Sequence, residues 1–350
     1  MIGNRYSGRY DVTEQVGSGG MQAVYAAKDI LTDRDVVLKT PLPGQPVKRF
    51  GDSATISARV NHHNVAETID YFVEDSIQFL IEERVFGPNL EEALSGSPLD
   101  PHEGARLFRA LALGIAASHA AGVVHRDLKP SNVVVRDGRL LSEIKITDFG
   151  IATLTSAVFE EAAKGDITRS TSGTVKGALP YMAPEMMFRK RGDHPAEPSD
   201  IWSLGAMMFR TLTGLYPFGV GFEAAANVKT GTREEWPSFM TTNSQFAGLA
   251  AELQSIVDKC LQYHEGDRPT AEQVVGLCSD LCFADTPREF AEVTERTGAR
   301  WFARTDHGRR VFFYSQSIYG SPRPGIGDRV VLAAYPGAPY PRAHPVTRAQ

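Results

Sequence analysis

The apolar residues of this chain change their period twice, and that change limits the folds open to it. Residues 9–16 alternate loosely at the spacing of two that suits half-buried strands, 23–27 resume it, 35–39 form a short β-branched run, and 68–73 and 77–85 read as two strands around a turn at 74–76. A helix over residues 47–60 interrupts this run. From residue 101 the spacing becomes helical, with Leu107, Leu111 and Ile115 on one stripe, and further helices are expected over 198–213, 249–262 and 270–283. Past a boundary at 285–287 the period of two returns in VFFY and RVVLAAY, among Gly and Pro turns. Strands, then helices, then strands predict an α+β chain of two lobes followed by a small all-β domain.

Composition agrees with that size. The chain has 350 residues, 42% of them hydrophobic, enough for one large or two ordinary cores. A net charge of −5 excludes a basic coating of the whole chain. It also hides an asymmetry, because from residue 288 onward ten arginines face five acids and there is no lysine. No run reaches the roughly 20 apolar residues of a bilayer span, and the N-terminus lacks an apolar signal core. The expectation is a cytoplasmic protein without a membrane partner. Cys260 falls on an apolar helical stripe, while Cys278 and Cys282 lie four apart on one face of an expected helix. With no further ligand nearby, core packing in a reducing compartment is expected.

Chemistry-bearing residues sit where the periods break. Gly17-Ser18-Gly19-Gly20 lies between two strands, where a backbone without Cβ atoms can fold over phosphates. Turn chemistry alone would also explain Gly20. Lys39 ends an apolar strand about twenty residues on. His125-Arg126-Asp127-Leu128-Lys129-Pro130-Ser131-Asn132 follows an amphipathic helix, and Asp148-Phe149-Gly150 follows IKIT. Ala183-Pro184-Glu185, Asp200-Ile201-Trp202-Ser203-Leu204-Gly205 and Gly266-Asp267-Arg268-Pro269 come after, in that order.

This ordered set resembles the protein kinase family over residues 10–283, with an N-lobe at 10–86 and a C-lobe at 87–283. Lys129, two after Asp127, follows the pattern of kinases acting on Ser and Thr. The resemblance implies ATP and Mg²⁺ as cofactors and protein Ser/Thr hydroxyls as acceptors. Asp127 would accept the hydroxyl proton, Lys129 steady the moving phosphoryl group, and Lys39 pair with the α- and β-phosphates. Asn132 and Asp148 would hold the metal. Gly17, Ser18, Gly19, Gly20 and Val24 would cover the nucleotide, and Glu82, Glu83 and Val85 would lie beside it at the lobe connection. Arg268 with Glu185, and Asp200 beneath the catalytic loop, are expected to be structural.

Four residues depart from the family pattern. Gln22 replaces the third glycine of the loop, with a modest loss of flexibility expected. Ser53 stands where the helix after Lys39 should offer a glutamate, and Glu82 stands where an apolar residue is usual. Glu82 is expected to replace the missing helix glutamate as partner of Lys39; the alternative register turns Glu83 inward instead. Ala178 replaces a threonine that would bond Asp127 and Lys129, which should slow turnover. The segment from Asp148 to Glu185 carries Thr168, Ser170, Thr171, Ser172 and Thr174, expected sites of autophosphorylation, with Arg126 as a partner for the phosphate.

The tail, 288–350, resembles a cold-shock domain, a small OB-type barrel, through TGARWF, VFFYSQSI and PGIGDRVVLAAYPGAPYPRAHPV. Ala299 and Arg300 depart from that pattern. The resemblance places Trp301, Phe312 and Tyr314 on a face for single-stranded nucleic acid; docking on the kinase or on a protein partner is the alternative. Two other readings of the whole chain stay open at this stage. One is a nucleotide-binding, pseudokinase-like scaffold, and the other a nucleic-acid-binding regulator acting through the tail.

Overall fold

A computed structural model describes residues 1–18, 22–42, 47–149, 177–188 and 196–349. Gly19, Gly20, the segment 168–174 and the side chains of Ser18, Asp52 and Ser53 lie outside the described residues.

The first lobe is one antiparallel sheet. Its strands are β1 (Arg5–Tyr6), β2 (Tyr10–Ser18), β3 (Gln22–Asp29), β4 (Arg34–Pro41), β5 (Thr68–Glu74) and β6 (Ile77–Glu83), in the order β1-β2-β3-β4-β6-β5. Alternation gives the sheet two faces. Val36, Leu38, Phe79 and Ile81 bury one face with Tyr10 and Val12. On the other face Leu80 packs against Phe50 and Ala54 of helix α1 (Val47–Ser57). Lys39 pairs in register with Leu80, and Val37 with Glu82, so Lys39 and Glu82 are diagonal neighbours on that second face.

The second lobe is helical. It contains α2 (Leu90–Leu94), α3 (Pro101–Ala120), α4 (Pro184–Met187), α5 (Glu197–Thr213), α6 (Gly221–Thr230), α7 (Ser238–Thr241), α8 (Ala247–Cys260) and α9 (Ala271–Ser279). Asp100 caps α3 through the amides of His102 and Glu103, with Pro101 in the first turn. Phe108, Leu111, Ile115, Trp202, Phe209, Leu253 and Cys260 share one core. A hairpin, β7 (Val133–Arg136) and β8 (Glu143–Ile146), lies between the lobes. At the connection Gly87 has φ +145°, and a Cβ there would stand 2.0 Å from the Val135 carbonyl oxygen. Only glycine lets the connection run this close to β7. Helix α9 ends at Ser279, so Cys282 is off the helix and exposed while Cys278 is buried; the expected shared face does not form. Among the described residues no helix is long and apolar enough to cross a membrane.

The tail is a barrel of β9 (Arg288–Thr297), β10 (Arg300–Thr305), β11 (Arg310–Tyr314), β13 (Arg329–Tyr335) and β14 (Arg342–Arg348), with the short β12 (Ile318–Tyr319) added to β14. The ring β11-β10-β9-β13-β14 closes through a parallel β11–β14 contact, the strand order of an OB-type barrel. Val293, Trp301, Ala303, Val311, Phe313, Leu332 and Val346 fill it. Trp301 is therefore inside, at 3% exposure, and not on the expected binding face. Alternation explains this: Trp301 and Ala303 point in, so Arg300, Phe302 and Arg304 point out. Phe312 and Tyr314 do face outward, beside Phe302 and Tyr340. Several tail arginines are already matched by carboxylates: Arg309 with Glu289, Arg310 with Glu295, Arg329 with Asp306 and Arg348 with Asp328. Arg296, Arg300, Arg304, Arg323 and Arg342 lie outside these pairs and are exposed, so the excess charge stays at the surface, but nothing in the structure supports the nucleic-acid reading.

The barrel docks on the helical lobe. Arg288 pairs with the cap residue Asp100 at 3.1 Å, both buried. Arg139, at the tip of the β7–β8 hairpin, holds Glu103 at 2.9 Å and donates to Thr347 Oγ1 at 3.1 Å. Leaving either charge unpaired in such a contact would cost several kcal/mol, so pairing fixes the docked orientation. Tyr319 meets Phe239 and Phe246 edge-on, and His344 stacks on Phe246 with ring centroids 5.0 Å apart. Burial, together with His102 and the Arg288 cation, depresses His344 to about 4, and His102 is lowered as well. A depressed histidine contributes stability that is full above its unfolded value of about 6.5 and is lost as pH falls through its folded value. Between pH 6.5 and 4 the full chain should lose about 1–2 kcal/mol from this residue. Thermal unfolding of His344→Phe, which keeps the stack and removes the proton site, should show a correspondingly flatter acid limb. An unchanged limb would exclude His344 as its source.

Candidate active site

The site forms where sheet, hairpin and helical lobe meet. Gly17 and Ser18 pair with Val24 and Ala23, so β2 and β3 stay in register to the end of β2. Val24 in turn pairs with Lys39. Lys39, at 5% exposure, puts Nζ 2.5 Å from Glu82 Oε2 and 2.7 Å from Asp148 Oδ1. The expected Lys39–Glu82 contact is present, and the alternative register is not. Glu83 turns the other way and takes Lys145 at 2.7 Å. Val85 follows it in the partly buried lobe connection. Because Lys39 and Glu82 stand on neighbouring strands, the contact is set by sheet register and not by the position of α1.

The loop 125–132 is braced from below. Asp200 is fully buried and accepts from the amides of His125 and Arg126, each at 2.7 Å. Its Oδ2 also lies 3.0 Å from His119 Nε2. Arg126 adopts φ +64°, as does Asp148. For non-glycine residues such conformations are costly and persist only where the surroundings impose them. On this brace, Lys129 Nζ donates to Asp127 Oδ2 at 2.8 Å. Asn132 Nδ2 donates to the Asp127 carbonyl at 2.8 Å and to Oδ2 at 3.2 Å, which leaves its Oδ1 as the outward acceptor. Ala178, where the family pattern has a threonine, is buried nearby and offers no hydroxyl. The hairpin carries Asn132 to Asp148: Thr147 N donates to the Asn132 carbonyl at 2.9 Å, and Phe149 packs on His125. Deeper in the lobe, Arg268 grips Glu185 with two bonds of 2.7 and 2.8 Å.

Burial by itself would depress Lys39, but Asp148 and Glu82 together hold it above its ordinary value. Burial likewise opposes the Asp148 anion, and Lys39 outweighs it, so that carboxyl stays below the usual range. Glu82 is raised, because burial dominates and Lys39 only partly offsets it. With Asp127, the cleft groups three carboxylates around two lysines. Asp148 offers carboxylate oxygens, and Asn132, with its Nδ2 turned to Asp127, offers its carboxamide oxygen. Hard divalent cations such as Mg²⁺ take such a set.

Gln22 is the residue that sequence reasoning undervalued. Its Nε2 donates to Asp148 Oδ1 at 3.0 Å. The signal was available, since alternation puts Gln22 on the face that carries Val24 and Lys39. The sequence expectation concerned only the loss of a glycine.

A family model described as protein kinase domain matches residues 10–277. The chain belongs to the protein kinase family. It is 34% identical to serine/threonine-protein kinase PrkC of Bacillus subtilis over 224 residues, which cover 62% of this chain and 32% of that protein. It is 31% identical to serine/threonine-protein kinase pkn3 of Myxococcus xanthus over 343 residues, 95% of this chain and 60% of that one. Serine/threonine-protein kinase A of Synechocystis is 32% identical over 313 residues, 83% of this chain and 56% of that one. The chain thus spans between about a third and 60% of the length of these relatives. The family uses ATP with a divalent metal in general.

Proposed function

We propose that the chain is a serine/threonine protein kinase, built from a kinase domain at 10–283 and a barrel domain at 288–350. The observation that carries this is two bonded groups joined through the hairpin: Lys39 on Asp148, and Lys129 and Asn132 on Asp127, with Thr147 N bonded to the Asn132 carbonyl. Asp127 has one oxygen on Lys129 and the other available to orient an acceptor hydroxyl and take its proton. Lys129, three donors on a flexible stem, is placed to follow charge moving between donor and acceptor. Lys39 is held cationic between Glu82 and Asp148, where it would meet the α- and β-phosphates. Gly17 and Val24 would cover the nucleotide, with Glu83 and Val85 at the lobe connection. Asp148 and Asn132 would hold Mg²⁺, which when bound neutralises phosphate charge.

The two lysines and three acids form a complete set, and this favours transfer over a scaffold without activity. Arg126 is partly buried with its Nε unpartnered, a ready site for a phosphate placed on the segment 168–174. The purified chain incubated with γ-labelled ATP and Mg²⁺ should label serine or threonine of a protein acceptor and of its own segment 168–174. Phosphopeptide mapping that finds tyrosine alone, or no label, would reject the reading.

A further inference from the structure

Gln22 opens β3 at 7% exposure, with its carboxamide in the cleft. Nε2 donates to Asp148 Oδ1, while Oε1 is buried and has no partner. A buried acceptor left unpaired costs about 1–3 kcal/mol. The unpaired atom is an oxygen and belongs to the group that touches Asp148. It shares the cleft with Asn132, whose Nδ2 is likewise turned toward Asp127. The two ends of a carboxamide are opposite in polarity and can exchange by rotation about one bond. A bare carboxylate draws the NH₂ end. A divalent cation on that carboxylate would repel the NH₂ end and favour the oxygen.

We propose that Gln22 is a third protein oxygen ligand, beside Asp148 and Asn132, for the divalent cation of this cleft. The assignment rests on the metal reading given above and goes beyond it. It replaces the expectation that the residue only stiffens the loop. The cation concerned is hard and oxygen-seeking, Mg²⁺ or Mn²⁺, for which a neutral carboxamide oxygen is an ordinary ligand. The competing role is a brace in which Nε2 merely steadies Asp148. The two differ in which end matters: a ligand needs the oxygen, a brace needs the N–H.

The test is Mn²⁺ binding to the full chain saturated with ADP, followed by the electron paramagnetic resonance of free Mn²⁺, with protein-free ADP subtracted. Gln22→Gly and Gln22→Ala should each raise the dissociation constant about tenfold. Gln22→Glu, which keeps the oxygen and removes the N–H, should bind as tightly as the native chain or more tightly. Asp148→Asn serves as the reference for the metal reading itself. If Asp148→Asn weakens binding while Gln22→Gly and Gln22→Ala do not, Gln22 is no ligand. If Gln22→Glu weakens binding as much as Gln22→Ala, the residue is a brace and the proposal falls. If Asp148→Asn leaves binding unchanged, the metal reading fails and takes the ligand assignment with it.

Discussion

Asp127→Asn should lower kcat for phosphoryl transfer about 10³-fold while leaving the fold intact, since general-base catalysis contributes on that order. The substitution keeps the shape of a side chain whose oxygen receives Lys129 and Asn132. What it removes is the basicity. KM for ATP should change little, because the phosphate and metal groups in this reading are Lys39, Asp148 and Asn132. Thermal unfolding should shift by only a degree or two, given that Asp200 and not Asp127 carries the loop. Steady-state kinetics of the purified variant decide the matter. Transfer within threefold of the native rate would remove Asp127 from the proton-accepting role.

Glu82→Leu restores the apolar residue usual in the family, yet it should damage this chain. The carboxylate stands 2.5 Å from Lys39 at 4% exposure. Removing one member of a buried pair leaves the other charge inadequately matched, at a cost of about 3 kcal/mol. Here Lys39 would be left to Asp148 alone. Pulled toward the metal-binding carboxylate, it would leave its place under the phosphates, and kcat/KM should fall about 10²-fold. Glu82→Gln should be milder in stability, because its carboxamide oxygen can still accept from Lys39 where Leu offers no acceptor. A double-mutant cycle on thermal unfolding with Lys39→Met measures the pair directly. A coupling below about 0.5 kcal/mol would mean the contact carries no energy of its own.

The pair also bears on control. In a kinase whose lysine is held from a helix, moving the helix breaks the contact. Here both residues lie on the sheet, in a register fixed by backbone hydrogen bonds. The position of Lys39 is therefore tied to β4 and β6 themselves.

Much of this was legible in the chain alone, for identifiable reasons. The periods of two and 3.6 are local properties, so β2–β6, α3, α5 and α8 stand close to where alternation and stripes placed them. Short helices such as α6 and α7 carry too few apolar residues for a stripe to register, and the expected end of α9 came several residues too late. Glu82 was legible because a carboxylate in an otherwise apolar strand demands a partner, and Ser53 left one cation without its usual acid. Trp301 was misplaced for the converse reason. An aromatic residue suits the inside of a small barrel as well as a binding face, and only the register of β10 against β9 and β11 says which side it takes.

The sequence by itself determined the family, the order of lobes and barrel, and the identity of the groups that meet in the cleft, because these rest on local spacing and on chemistry carried by residue type. Which groups touch was decided only by the tertiary structure. Lys39 sits between Glu82 and Asp148, residues 43 and 109 positions away. Gln22 reaches Asp148 across 126 positions, and Arg139 reaches Thr347 across 208. Such contacts depend on strand register and on the docking of one body against another. Both are set by the burial and pairing of the whole chain, and no segment holds them on its own.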